Sequence, residues 1–168
     1  MYSNLDLIYE QTFNDVPVKY VSTSKNIKLD SKGKIKPPQT HYLTANVFYD
    51  GTHWATKDKI VKFAKEYLYW KIKDLPAIHK CKVEIIYRSP KDDFDLDNKC
   101  YFWIKIFLDL IKPPAKRMDE KMRSMALSKI HDDSVRYIDG INMVYEKGDL
   151  SMTIKIYGSK QQEQRSLF

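Results

Sequence analysis

The segment that most restricts the fold is residues 98–111, because its apolar side chains recur at helical spacing. They follow i, i+4, i+7, i+8 and i+11 and form one stripe: Cys100, Ile104, Phe107, Leu108 and Ile111. Pro113 and Pro114 end this helix, because proline lacks a backbone N–H and its ring clashes with the preceding turn. A helix with one apolar stripe packs on another layer of structure, so we expect a layered domain.

A second helix is predicted over residues 56–73, with Thr56 as its N-cap. Its apolar residues follow helical spacing, and four lysines populate the other side: Lys57, Lys59, Lys62 and Lys65. We interpret this lysine face as solvated, with contact to DNA as the alternative. The segment 115–130 is also compatible with a helix.

β-branched content and partial alternation predict three strands, over residues 80–88, 135–147 and 150–157. Residues 146–149 have the composition of a hairpin turn between the last two strands. Residues 7–9 and 16–21 are candidates for two short strands joined around Asn14–Asp15. The order strand–helix–strand–helix–strand–strand predicts an α/β or α+β domain in which two main helices pack on a small mixed sheet.

The length of 168 residues favours one domain with appendages. We divide the chain into an N-terminal extension to which the pattern assigns no structure (1–36), a main domain (37–157) and a flexible polar C-terminal tail (158–168).

Several features argue against membrane anchoring and secretion. No apolar run approaches the roughly 18–20 residues that span a bilayer. The first residues lack the basic start and apolar stretch of a signal peptide. The two cysteines, Cys81 and Cys100, cannot form a disulfide framework or a zinc site. We therefore expect a reducing, cytoplasmic location.

The charge balance favours a polyanionic partner. Twenty-nine Lys and Arg face 22 Asp and Glu, which gives a net charge of +7. Each phosphate that such a protein neutralises releases counterions, so nucleic acid is the natural partner. A basic protein with no such partner is the alternative.

Four aspartates lie within residues 92–97 of this basic chain. Two like charges 4 Å apart repel by about 4 kcal/mol at an effective dielectric constant near 20, so the cluster favours a positive partner. In an extended segment Asp95 and Asp97 point to the same side, and two carboxylates completed by water suit Mg²⁺. The alternative is that Asp97 only caps the helix. A second acidic pair, Asp132–Asp133, precedes the next predicted strand.

These residues resemble the RusA family of Holliday-junction resolvases, which are common in bacteria and their phages. The resemblance rests on three elements in order: Asp95-Leu96-Asp97-Asn98 opening a helix, Lys105 to Leu110, and Asp132-Asp133-Ser134 before a strand. Two upstream elements support it: Pro37-Pro38 and Thr52-His53-Trp54. The similarity covers about residues 37–157, which would then be a RusA-like nuclease domain.

The resemblance implies a homodimer that binds a four-way DNA junction and cuts two symmetrically placed strands with Mg²⁺, in DNA recombination and repair. The family's metal-binding aspartates match Asp95, Asp97 and Asp133, with Asp132 as a further candidate ligand. Its lysine near the active site matches Lys105. The reaction implied is metal-assisted hydrolysis of a phosphodiester.

The position of the lysine departs from the family pattern. The usual spacing from the second aspartate to the lysine is four residues, whereas Lys105 lies eight residues after Asp97. The extra helical turn moves the lysine by roughly 6 Å along the helix axis, so Lys99 is the alternative for this role.

Two other functions stay open. The protein is alternatively a non-catalytic basic module that binds branched DNA or RNA, with the aspartates acting as caps and loop ligands. It is also compatible with a nuclease that prefers forks or flaps, because branch geometry is recognised through shape and phosphate placement.

The last five residues resemble the pentapeptide that binds the bacterial sliding clamp. Gln164, Leu167 and Phe168 match that motif, whereas Arg165 stands where leucine is common. The alternatives are a chance match and docking of the tail on its own domain.

Overall fold

The computed structural model describes residues 6–22, 29–49, 51–91, 96–116 and 118–160, without the side chains of 96, 159 and 160. Within these residues the helices are α1 (Asn46–Tyr49), α2 (Trp54–Ile72), α3 (Leu96–Ile111) and α4 (Glu120–Ser124). The strands are β1 (Asp6–Phe13), β2 (Lys19–Val21), β3 (Thr40–Tyr42), β4 (Ile78–Ser89), β5 (Ile138–Lys147) and β6 (Ser151–Lys160).

Four strands form the main sheet, in the order β1-β6-β4-β5. β4 pairs with β5 in parallel, whereas the β4–β6 and β6–β1 pairs are antiparallel. The short strands β2 and β3 form a separate antiparallel pair. The architecture is α+β with a mixed sheet and two long helices, so the predicted fold class is confirmed.

The two long helices and the sheet share one core. α2 and α3 contact each other through Tyr67 and Trp103, whose ring centroids are 5.6 Å apart. The fully buried residues come from both helices and the central strands, and include Leu68, Phe107, Ile85 and Ile154. The periodicity that predicted these helices therefore marks the face that the core covers.

The last two strands do not form the predicted hairpin. β5 and β6 lie on opposite sides of β4, and the connection between them passes the end of β4, where the Gly148 N–H donates to the Ser89 carbonyl at 3.1 Å. β4 is largely buried, and both of its edges need hydrogen-bonding partners. The turn composition was compatible with a reversal but did not specify which strands pair.

The predicted pairing around Asn14–Asp15 is also wrong. β1 pairs with β6, and β2 pairs with β3. β1 and β2 lie within residues 1–36, so this region contributes an edge strand to the main sheet. At the other end of the chain β6 continues to Lys160, so residues 158–160 of the predicted tail belong to the sheet.

Close approach of two strands explains the glycine at position 158. A Cβ on Gly158 would lie 2.1 Å from the carbonyl oxygen of Lys80 and 2.9 Å from the Cα of Cys81, both in β4. These are backbone atoms that cannot move aside independently, so β6 requires a residue without a side chain here.

Two helix predictions need correction. α2 begins at Trp54, and its N-cap is His53, whose Nδ1 accepts from the Ala55 N–H at 3.3 Å, so Thr56 lies inside the helix. Among the described residues of the segment 115–130, only those of the short helix α4 are helical. The last carbonyls of a helix have no intrahelical donors, and the later part of this segment supplies them for α3. The Leu127 N–H donates to the Leu110 carbonyl, and the N–H groups of Lys129 and Ile130 donate to the Ile111 carbonyl.

No helix among the described residues has the length and apolar composition that crossing a membrane requires.

Candidate functional site

The candidate site residues are distributed along α3, which connects the parallel strands β4 and β5. In such a crossover the helix returns along the sheet, so it begins near the end of β4 and ends near the start of β5. Lys129 confirms this direction: its N–H donates to the last residue of α3, Ile111, at 2.6 Å, and its carbonyl accepts from Ile78, the first residue of β4. We call the two ends of this helix the amino end and the carboxyl end of α3.

Asp97 lies in the first turn of α3 with an exposed side chain. One of its carboxylate oxygens accepts the Asn98 N–H at 2.8 Å. It makes no ion pair with any lysine or arginine in the described part of the chain. Asp95, the other aspartate of the predicted metal pair, lies outside the described residues. The carboxylate of Asp97 is therefore available to a cation from solution.

The carboxyl end of α3 carries a group of opposite charges that we call the lysine–aspartate cluster: Lys65, Lys105, Asp109, Lys112 and Asp133. Asp109 is its centre, with the Nζ atoms of Lys65, Lys105 and Lys112 at 3.5, 3.3 and 3.1 Å from its carboxylate. Lys112 also bonds Asp133 at 2.7 Å. Three lysines and two aspartates thus lie within a few ångströms of one another, with one lysine charge in excess.

Burial strengthens the interactions between the charges of this cluster, because less water screens them. Burial acts to raise the pKa of Asp109, but the charges of Lys65 and Lys105 and the bond from Lys112 hold it below its ordinary value. Lys65 is only 4% exposed, although it was expected on the solvated face of α2. Burial lowers the pKa of Lys65 and outweighs the opposing effect of Asp109. Removing one member of the cluster would therefore be costly, because it would leave a buried charge without its partner.

Asp132 and Asp133 lie in the loop before β5, which begins at Ile138, and Asp133 belongs to this cluster. Burial acts to lower the pKa of Lys112, but its bonds to Asp133 and Asp109 raise it above the ordinary value. The pKa of Asp132 is lowered, chiefly because its carboxylate accepts the backbone N–H of Asp133 at 2.9 Å. Asp133 is thus neutralised by a protonated lysine, which competes with any metal for its oxygens.

The structure does not bring Asp97 and Asp133 together within one chain. Asp97 and Asp109 are separated by twelve residues of continuous helix, which is about 18 Å along the axis. Asp133 lies beyond Asp109, bonded to Lys112. Among the described residues there is no group of three or more His, Cys, Asp or Glu side chains that could coordinate one metal ion.

The two candidate lysines have different partners. Lys105 forms its ion pair with Asp109 and retains 42% exposure of its side chain. Lys99 lies over the ring of Tyr42, with its Nζ 5.7 Å from the ring centroid, and burial lowers the pKa of Lys99. Neither lysine makes a described ion pair with Asp97.

A pair of exposed tyrosines next to Asp97 was not predicted. Tyr101 lies one helical turn after Asp97, and the Tyr49 hydroxyl donates to the Tyr101 hydroxyl at 2.7 Å. The sequence holds one signal for Tyr101, which lies outside the apolar stripe of α3 on the face that carries Asp97 and Lys105. It holds none for Tyr49, because the two tyrosines are 52 positions apart in the chain.

The residues of the predicted clamp motif, Gln164, Leu167 and Phe168, lie outside the described residues. Comparison of the chain with protein-family models, with curated proteins and with solved structures finds no match in any of the three.

Proposed function

We propose that this protein is a Mg²⁺-dependent endodeoxyribonuclease that acts on branched DNA, with its metal bound at the amino end of α3 by Asp95 and Asp97. The observation that carries the proposal is the exposed carboxylate of Asp97, which has no described cationic partner in a chain of net charge +7. The RusA resemblance further implies a four-way junction, symmetric cleavage by a homodimer and a cytoplasmic location in a bacterial or phage-infected cell.

The donor set at this end fits the metal. Mg²⁺ prefers oxygen ligands, usually one or two carboxylates with water and substrate phosphate. Asp97 supplies one such group, and Asp95 is the second in the proposal. Asp133 fits less well, because Lys112 already bonds it at 2.7 Å.

When bound, the metal would lower the pKa of a coordinated water and stabilise negative charge on the scissile phosphate. The chain's own contribution is to orient the carboxylates at the start of a rigid helix and to attract DNA through its lysines. Lys105, one of the more exposed cations on this face of α3, would contact the phosphate backbone.

The proposal is tested by incubating the protein with a synthetic four-way junction, a fork and a linear duplex, with and without Mg²⁺. We expect cleavage of at least one branched substrate only with the metal, and none of the linear duplex. Absence of Mg²⁺-dependent cleavage of every branched substrate would contradict the proposal.

A non-catalytic module that binds branched DNA or RNA is the second candidate. Neutralisation of both Asp109 and Asp133 by lysines favours it, because these two aspartates then have a structural role. The same experiment separates the two candidates: this module would shift the junction in a binding assay and leave its strands intact.

Binding to a sliding clamp is a separate proposal that rests on the resemblance of residues 164–168 alone. It is tested by calorimetry with a peptide of residues 158–168 and with protein truncated before Leu167. Burial of Leu167 and Phe168 would contribute roughly 1.5–3 kcal/mol each, which is enough for a modest affinity. The absence of binding at tens of micromolar would exclude it.

A further inference from the structure

Two tyrosine rings are exposed in a fixed position beside the proposed metal site. Tyr49 is 71% and Tyr101 37% exposed, and their ring centroids are 6.0 Å apart at an angle of 42°. We call Tyr49 and Tyr101 the tyrosine pair. Single exposed apolar residues are usual on protein surfaces, but here two exposed rings lie together and form one small aromatic surface.

Phe48 packs beneath the tyrosine pair. Phe48 contacts both rings edge-on, with centroid distances of 6.5 Å to Tyr49 and 6.4 Å to Tyr101. Phe48 itself stacks at 5.5 Å on Phe102, which is fully buried in α3. The exposed rings are therefore held in place before any ligand arrives, which lowers the entropy lost on binding.

Two lysines lie beside this pair. Lys57 donates to the Phe48 carbonyl at 3.1 Å, and Lys105 follows Tyr101 by one turn of α3. The hydrogen bond to Tyr101 raises the pKa of Tyr49, and the positive charges of Lys105 and Lys57 oppose this shift. Aromatic faces with flanking cations match the two surfaces of a nucleic-acid strand, its bases and its phosphates.

We propose that the tyrosine pair stacks on unpaired bases of a DNA single strand, so that the substrate is branched DNA with a single-stranded segment, such as a fork or flap. This inference rests on the proposed function for its substrate class. Base pairs inside a fully paired four-way junction offer no free face to a fixed ring. An unpaired base does, because stacking requires only its π-face. Asp97, one turn before Tyr101, would place the metal next to the strand that the pair binds.

The chain offers a matched control. Trp70, near the far end of α2, is 68% exposed and also has a cation at its ring, with the Lys73 Nζ 5.5 Å from the centroid. It lies on α2 and not on α3, and its ring contacts the less exposed ring of Tyr69, with the centroids 5.2 Å apart. If any exposed aromatic beside a lysine bound DNA, Trp70 would contribute as much as the tyrosine pair.

The test measures fluorescence anisotropy of a labelled 12-nucleotide oligothymidylate and of a blunt duplex of the same length, in EDTA so that neither is cleaved. The double variant Tyr49→Ala/Tyr101→Ala should bind the single strand at least about fivefold more weakly, the lower bound for loss of one stacked base. Its affinity for the duplex should change less than twofold. Tyr49→Phe/Tyr101→Phe, which keeps the rings, and Trp70→Ala should both bind the single strand within about twofold of wild type.

Thermal unfolding of each variant is followed in parallel, and the Phe variant keeps the test valid if the Ala variant unfolds. In that case a loss of single-strand binding by the folded Phe variant overturns the inference, since its rings remain. No binding of the single strand by wild type, equal loss for single strand and duplex, or no effect of the Ala substitutions also overturns it. If the protein cleaves a fully paired junction and the Ala substitutions leave single-strand binding unchanged, this inference is refuted but the proposed nuclease activity is not. If the tyrosine pair is needed for single-strand binding but no substrate is cleaved with Mg²⁺, the proposed nuclease activity is refuted and the stacking inference is not.

Discussion

The two ends of α3 each carry an aspartate, but in different surroundings. At the amino end, the exposed carboxylate of Asp97 makes no ion pair with a described lysine or arginine. At the carboxyl end, the carboxylate of Asp109 lies within 3.5 Å of three lysines. Both residues belong to the sequence pattern that suggested a nuclease. Their surroundings indicate that Asp97 and Asp109 have different roles. An unpartnered surface carboxylate is free to bind a cation, while a half-buried one among lysines stabilises the fold.

The largest expected effect concerns the stability contributed by the carboxyl end. Asp109→Asn keeps the shape of the side chain but leaves Lys65, which is 4% exposed, without its counter-charge. Loss of one partner of a buried pair costs about 3 kcal/mol, which urea denaturation should detect as a lower free energy of unfolding. Adding Lys65→Met should restore most of the loss, because neither charge is then buried alone. A change below about 1 kcal/mol in the single variant would show that the cluster does not stabilise the fold.

The next effect concerns chemistry at the amino end. Asp97→Asn removes the charge that binds the metal, and Mg²⁺-dependent cleavage of a branched substrate should fall by about 100-fold or more. The free energy of unfolding should change by less than about 0.5 kcal/mol, as is usual for surface substitutions. Asp74→Asn, at an exposed position just after α2, is the control for a change of one unit of charge. Equal rates for Asp97→Asn and wild type would remove Asp97 from the metal site.

The pH dependence of stability should come from the carboxyl end. The native pKa of Asp109 is held below its ordinary value near 3.8, so its ionised form is favoured by folding. This stabilisation is fully present above the ordinary pKa and is lost as the pH falls through the lower native pKa. The difference in unfolding free energy between wild type and Asp109→Asn should therefore stay constant from pH 7 to about 4.5 and shrink below about 3.9. A difference that shrinks already between pH 7 and 5 would contradict this assignment.

The smallest expected effect tests whether the two ends are independent. Asp133→Asn removes the negative charge that pairs with Lys112 at 2.7 Å, between side chains that are 28% and 25% exposed, and should cost about 1 kcal/mol of stability. Cleavage should stay within about threefold of wild type. If instead Asp133→Asn abolishes cleavage as Asp97→Asn does, without loss of stability, both carboxylates act in one site. About 18 Å of helix separates the two ends in one chain, so such a site would require two copies of the chain, and light scattering would then have to show a dimer.

Local patterns predicted the helices well because burial of one face is recorded in the spacing of apolar residues. α3 runs from Leu96 to Ile111, close to the predicted 98–111, and the long helix α2 and strand β4 lie where periodicity and β-branched content placed them. Segment 115–130 was predicted less well, because its backbone bonds to the end of α3 depend on tertiary contact.

The site was less predictable because its residues are defined by partners distant in sequence. Lys65 is buried only because Asp109, on another helix, neutralises it. The motif placed Asp97 and Asp133 in one metal site, but the direction of α3 between two parallel strands separates them. The order of elements was readable from the sequence, whereas which strand lies next to which was not.

The pairing of β1 with β6 has a consequence for how the protein is made. β1 contains the earliest described residues, and its partner β6 contains the latest, with Asp6 opposite Gly158 and Phe13 opposite Met152. A ribosome releases β1 long before β6, so the edge strand has no sheet partner until residues 151–160 have also emerged. Such distant pairing slows folding, because a large loop must close before any of its contacts form. The main sheet can therefore be completed only after β6 has been synthesised, and until then β1 is an unpaired strand open to other chains.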